Sequence, residues 1–212
     1  GEAVRAIKRD FRWPSPYPAR HPSPAQEPAV AQEYPSLTPA LRDFIVRQHI
    51  FFAASAAKDT RINISPRSTR EFRVIGDNEA CWLDLTGSGA ETAAHMKADG
   101  RLTIMFCAFE GPPSILRLYG RGEILHRDSA EFARVLADHF GNERPVGTRQ
   151  IVWLKFDLVK TSCGYGVPAF SYERERGALD NWAEKKGPQG VADYWREKNL
   201  VSMDGLPTGI VE

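Results

Sequence analysis

The residues best suited to chemistry lie between positions 61 and 121. In Leu85-Thr86-Gly87-Ser88-Gly89-Ala90-Glu91-Thr92, glycines alternate with hydroxyl side chains immediately before a helical stretch. Such a turn offers backbone N–H groups and hydroxyls to an anion, and the helix dipole adds a modest attraction. The same residues also suit a plain strand-to-helix connection in which Ser88 or Thr86 caps the helix. Upstream, Arg61-Ile62-Asn63-Ile64-Ser65-Pro66-Arg67 places a guanidinium at each end of a strand-like run. A phosphate dianion needs fixed cations, and arginine can meet its oxygens two at a time. Taken singly, each arginine reads equally as a solvated strand-end charge.

Other chemistries lack their signatures. No Gly-x-Gly-x-x-Gly string opens a helix, since Tyr119-Gly120-Arg121-Gly122-Glu123 sits within a strand, and no P-loop, His-Glu-x-x-His or Gly-x-Ser-x-Gly occurs. His21, His49, His95, His126 and His139 are scattered without an i,i+4 pair, so no dedicated metal site is expected. Cys81, Cys107 and Cys163 are odd in number and far apart, which suits a reducing compartment and excludes a disulfide scaffold. No residue stands out as a general acid or base.

The elements that must position these groups follow from pattern. The length of 212 residues suits one full-sized core, and the apolar share of 42% is that of an ordinary globular protein. A net charge of +1 removes any general electrostatic reason to expect nucleic acid or a membrane surface. The longest apolar run, Ile50 to Ala57, is far short of the roughly 20 residues that cross a bilayer. With no apolar signal-peptide run near the N-terminus, a cytoplasmic protein is expected.

Residues 1–36 read as an arm or linker, because seven prolines between Trp13 and Pro35 remove donors and leave no periodicity. Phe11, Trp13 and Tyr17 would anchor it if it clasped a partner. Order is expected near Ser36, with Thr38 capping a helix that has Pro39 at its first position. Strands follow at Ile50–Ala56, Arg61–Ser65, Phe72–Ile75, Ala80–Leu85, Leu102–Phe109, Ile115–Leu125 and Ile151–Val159, with Leu102–Phe109 apolar enough to be buried on both faces. Glu91–Lys97 and Ser129–Phe140 read as helices, and Leu179–Asn199 as two short helices broken at Gly187-Pro188. The pattern is mainly β with peripheral helices, a small antiparallel barrel of six or so strands.

The order of Ile62–Arg67, Leu85–Thr92 and Leu102–Gly120, over residues 37–170, resembles the pyridoxamine 5'-phosphate oxidase-like family of FMN-binding split β-barrels. That resemblance implies a homodimer with two flavin sites at the subunit interface and an FMN-dependent oxidoreductase acting on a small molecule. It assigns Arg61, Asn63, Ser65 and Arg67, with Leu85, Thr86, Ser88 and Thr92, to the ribityl phosphate. Arg117 and Arg121 are weaker candidates for the flavin or an anionic substrate. Leu85-Thr86 stands where the family has an aromatic-Thr pair, and Glu91-Thr92 where the oxidase proper has Arg-Lys. The Thr161-Ser162-Cys163-Gly164-Tyr165-Gly166-Val167-Pro168 segment, like Glu110–Gly120, is similar to an uncharacterised bacterial subgroup, and the oxidase's C-terminal Arg-x-His-type signature is missing, so pyridoxamine phosphate is not assigned as substrate. That segment would form a Gly-lined loop near the isoalloxazine or a simple surface loop. Residues 171–212 would be a helical tail packing on the barrel or the partner. The Glu91-Thr92 departure keeps two alternatives open: a flavin-, deazaflavin- or haem-binding protein without turnover, and a cofactor-free dimer whose arm binds a partner.

Overall fold

The computed structural model describes residues 31–211. Its elements are β1 (Glu33–Tyr34), α1 (Pro39–Val46), β2 (Ile50–Ala56), β3 (Asn63–Ser68), β4 (Phe72–Val74), β5 (Glu79–Leu85), α2 (Glu91–Ala98), β6 (Arg101–Cys107), β7 (Ile115–His126), α3 (Ala130–Phe140), β8 (Thr148–Ser162) and α4 (Ala178–Lys198). The strands form one antiparallel sheet in the order β3-β2-β6-β7-β8-β5-β4, and β1 pairs with the far end of β8. The sheet curls into a split β-barrel. Of its eight strands, β1 and β4 are only two and three residues long.

Period-two alternation decides what the barrel encloses. Phe51 and Ala53 of β2, Leu102, Ile104 and Phe106 of β6, Leu116 and Leu118 of β7, and Val152, Leu154 and Phe156 of β8 all point inward. Phe51, Phe72 and Phe106 pack as tilted and edge-on rings, with Phe72 4.9 Å from Phe51 and 5.3 Å from Phe106. Burying each such ring contributes about 1.5–3 kcal/mol. β6 is buried on this one face, not both: Thr103 and Met105, between its core residues, stay half-exposed.

β5 and the first part of β8, as far as Val152, have both faces buried, and α3 packs on their outer side. Ser129 caps α3 by accepting from the Phe132 N–H at 3.1 Å, and Phe132, Val135, Leu136 and Phe140 form the expected apolar stripe against Cys81, Leu83, Leu125 and Ile151. Burial there pushes the Cys81 thiol up to about 12, which makes it a small packed residue with no thiolate at neutral pH. α4 bends at Gly187, whose φ of 68° breaks the helix before Pro188. Ala183, Val191 and Trp195 of α4 pack with Ala90, Ala93 and Ile210 in a second apolar cluster.

Several boundaries differ from the sequence reading, among them that of β8, which runs Thr148–Ser162 where Ile151–Val159 was expected. Order begins before Ser36, because Glu33 and Tyr34 pair with Lys160 and Val159. α1 starts as expected, with Thr38 Oγ1 accepting from Leu41 N, but ends at Val46. β3 begins at Asn63, so Arg61 precedes the strand and Arg67 lies within it. The proline-rich stretch and the proposed anchors Phe11, Trp13 and Tyr17 lie outside the described residues.

Gly120 fixes the closest approach in the sheet. On β7, Tyr119 faces Leu158 and Gly120 faces Phe156, a bulge that skips Asp157. A Cβ at Gly120 would stand 2.0 Å from the Lys155 carbonyl oxygen and 2.5 Å from the Phe156 Cα. Both are backbone atoms of the longest strand and cannot turn aside. Gly120→Ala is therefore expected to cost about 3 kcal/mol, read from the denaturant midpoint in urea, whereas an alanine at solvent-facing Gly166 meets no neighbouring atom.

Candidate anion-binding site

A β-bulge builds the charged floor of the site. On the β5–β8 ladder Asp84 faces Gln150 and Leu85 faces Thr148, leaving Arg149 without a partner residue. In a regular strand Arg149 and Gln150 would point to opposite faces; the extra residue lets both reach the same one. The Arg149 guanidinium lies 3.1 Å from the Asp84 carboxylate, and Gln150 Nε2 donates to Asp84 Oδ2 at 2.9 Å. From β3, Arg67 Nη1 approaches the same carboxylate at 2.9 Å. Burial alone would raise the Asp84 carboxyl, but Arg149, Arg67 and the Gln150 amide outweigh it and hold the group below the usual carboxylate range.

Two guanidiniums against one carboxylate leave one positive charge over, beneath a cavity of about 400 Å³. Arg67 Nε and Arg149 Nε are buried without a hydrogen-bond partner among the described residues. The Gly87–Gly89 turn forms the cavity rim. Its three carbonyls are all engaged on one side: Asn199 Nδ2 donates to Gly87 O and Ser88 O at 3.2 and 3.4 Å, and Arg149 Nη1 donates to Gly89 O at 2.9 Å. Among the described residues, no oxygen accepts from the N–H groups of Gly87, Ser88 or Gly89, and the Ser88 hydroxyl has no partner. Neither Ser88 nor Thr86 caps α2, whose N-cap is Ala90 with no side-chain bond. Thr86 is instead structural: its hydroxyl donates to Gly147 O at 2.7 Å and accepts from Trp195 Nε1 at 2.8 Å.

The far wall is a run of small polar groups. Ser65 Oγ donates to Asn63 Oδ1, and Asn63 Nδ2 donates to Thr92 Oγ1 at 3.2 Å and Ser55 Oγ at 3.4 Å. Ser55 in turn hydrogen-bonds the fully buried His95 Nδ1 at 3.0 Å. Glu91 also lines the cavity, yet both its oxygens accept from Met203 N, at 3.1 and 3.2 Å. The acid that replaces the family's basic pair is thus held by the C-terminal turn. On the outer lip, Arg70 is claimed by Glu71 and by Asp180 of α4.

Of the residues proposed from sequence, Asn63, Ser65, Arg67, Leu85, Thr86, Ser88 and Thr92 line this one cavity. Arg61 and Arg117 do not. Arg61 lies outside β3 and pairs with Asp204. Arg117 points from β7 to Ser162 Oγ at 3.1 Å, and Arg121 donates to the Asp99 carbonyl at 2.6 Å. The Thr161–Pro168 loop lines neither this cavity nor its neighbour; Gly164 packs against Ser114, where a Cβ would come within 2.7 Å of the backbone. The sequence reading missed Asp84, Arg149, Gln150 and Asn199. Asp84 alone left a signal, a lone carboxylate inside the apolar run Ala80–Leu85.

A larger groove of about 1240 Å³ opens from Pro66, Arg67 and Ser68, the β3 residues it shares with the cavity. Phe44, His49, Phe109, Phe170 and Tyr172 line it, with Tyr172 stacked on His49 at a centroid distance of 3.8 Å. An anion seat that continues into an aromatic cleft suits a ligand with a charged end and a planar end.

Fold and cavity together give a split β-barrel with a cavity lined by hydroxyl groups, backbone amides and arginines. A family model for pyridoxamine 5'-phosphate oxidase matches residues 37–163. The chain is 33% identical over 190 residues to the pyridoxamine 5'-phosphate oxidase family protein ustO of Aspergillus flavus, covering 82% of this chain and 76% of that one. It belongs to the pyridoxamine 5'-phosphate oxidase family. Among solved structures, HupZ of Group A Streptococcus has a TM-score of 0.48 at 18% identity, over 63% of this chain and 99% of that one. A putative pyridoxamine 5'-phosphate oxidase from Lactobacillus delbrueckii has a TM-score of 0.45 at 17% identity, over 59% and 94%.

The Asp84 cluster gives a stability test. Asp84→Asn leaves buried Arg149 without its counter-charge and is expected to cost about 3–5 kcal/mol near neutral pH in chemical denaturation. A carboxyl held low in the fold stabilises it above the unfolded value, about 3.9, and loses that contribution as pH drops through the folded value. The gap between wild type and variant should therefore narrow on acidification below about pH 4, and a gap independent of pH would contradict the assignment.

Proposed function

We propose that this chain is an FMN-dependent oxidoreductase acting on a small molecule, and that it works as a homodimer. The observation that carries the reading is the cradle: three unengaged N–H groups at Gly87, Ser88 and Gly89, set above a buried pair of arginines that share one carboxylate. These are the partners a phosphate monoester needs, charge-assisted donors from several directions in a partly desolvated place. Arg67, Ser65, Ser88 and Thr92 would hold the ester oxygens, with Arg149 supplying charge from behind. The aromatic groove beside Arg67 suits the planar ring and the substrate. The bound flavin supplies the hydride or electron transfer. The protein's share is to fix the phosphate, orient the ring and exclude water from the cleft.

The cradle's lining contains no histidine, cysteine, methionine or tyrosine, so a haem iron would have to take its ligand from His49 or Tyr172 of the adjoining groove, whose rings are stacked on each other. Dimer formation is supported by β3, an edge strand whose neighbourhood exposes Ile62 at 73% and Ile64 at 64%. An unpaired edge carrying exposed isoleucines is a surface that folded proteins usually cover. A second copy would do so and would close the aromatic cleft.

Purified protein should be yellow, with a flavin absorption spectrum and FMN released on denaturation. A Soret band, or a colourless protein that ignores added FMN, would overturn the reading. Arg67→Ala and Ser88→Ala should each weaken FMN by about 1.5–3 kcal/mol in a fluorescence titration. In light scattering, Ile64→Glu should convert a dimer to a monomer.

A further inference from the structure

We infer that Asn199, behind α4 and beyond the residues matched by the family model, is the positioning residue that makes the Gly87–Gly89 turn selective for a phosphate-bearing ligand. The inference rests on the proposed FMN reading and concerns how its phosphate seat is held open.

A glycine-flanked turn can face a cavity with either its N–H groups or its carbonyls, and the two faces have opposite sign for an anion. The residues of Thr86–Ala90 do not by themselves select one: Ala90 caps without a side chain, and glycines at 87 and 89 carry no Cβ to restrict the backbone. The choice is made from outside. Asn199 is fully buried, and its amide N–H groups hold the carbonyls of Gly87 and Ser88 on the side away from the cavity. Its Oδ1 accepts from Arg149 Nη1 at 3.2 Å, and the same nitrogen of Arg149 holds the third carbonyl, Gly89 O. One side chain thus orients the turn and steadies the guanidinium beneath it.

Asn199 is itself fixed. Its N–H donates to Trp195 O at 2.9 Å, and Thr208 Oγ1 donates to its carbonyl. The same tail reaches the site twice more, through Trp195 Nε1 on Thr86 and Met203 N on Glu91. Asn199 touches neither the cavity's open space nor the ligand's expected atoms, so its effect passes through the turn and Arg149.

The test compares FMN with riboflavin, which has the same ring without the phosphate. In wild type FMN should bind far more tightly than riboflavin. Asn199→Leu should raise the FMN Kd by about tenfold to a hundredfold while leaving the riboflavin Kd within about twofold, so that the preference collapses. Asn199→Asp, which keeps the shape and the acceptor for Arg149 but turns a carboxylate on the two carbonyls, should collapse it too. A folded variant that keeps the wild-type preference overturns the inference. A wild type without that preference overturns the FMN reading instead. The unsubstituted protein gives a check that needs no variant: titrated with inorganic phosphate alone, the amide resonances of Gly87, Ser88 and Gly89 should shift together, and amides that stay put would refute the orientation.

Discussion

One buried carboxylate organises the cradle. Asp84 joins β3, β5 and β8 through Arg67, Arg149 and Gln150, and the strands carrying these residues are far apart in sequence. A carboxylate at 1% exposure persists only when its charge is answered at close range, so the fold must bring both arginines to one end of the barrel. Once they are there, the surplus positive charge cannot be dispersed into solvent. It faces a cavity whose outer lining sets Glu71, Glu91, Glu175 and Asp180 against Arg70 and Arg176, so the positive charge is confined to the floor.

The cradle therefore separates charge from direction. The arginines supply the field, from below and through a shared acid, while the turn supplies directional donors from above. Replacing the family's basic pair by Glu91-Thr92 removes cations from the rim. The loss is offset by Arg149 in the floor and by the tail's hold on Glu91, whose oxygens are occupied by Met203 N. Glu91 keeps its charge when it accepts from a backbone N–H; the bond fixes where that charge sits.

Most of the barrel was legible in the sequence. Period-two alternation in Ile115–Leu125, the glycine and asparagine turn before Ala80, and the Ser129 cap with its apolar stripe each reflect local physics that tertiary structure did not override. The turn at Gly87–Gly89 was legible as a glycine-lined bend leading into a helix for the same reason. The floor was not. Arg149 sits in a strand whose alternation would send it away from Gln150, and only the bulge, a tertiary property of the β5–β8 ladder, reverses it. Asn199 was equally hidden, since a residue at the end of a charged helix announces nothing about a loop more than a hundred positions upstream. Arg61 shows the converse: a plausible cation by spacing, it belongs to Asp204 because β3 starts two residues later than alternation suggested.

The part played by the tail has a consequence for how the molecule comes into being. The rim, Arg149 of the floor and Asn199 are laid down in that order during synthesis, with the last arriving some fifty residues after Arg149. A nascent chain can close its barrel while the turn above Asp84 still has no fixed face. On the proposed reading, cofactor capture would wait until residue 199 and those packed behind it have cleared the ribosome, because a chain stalled before that point lacks the side chain that holds the Gly87 and Ser88 carbonyls.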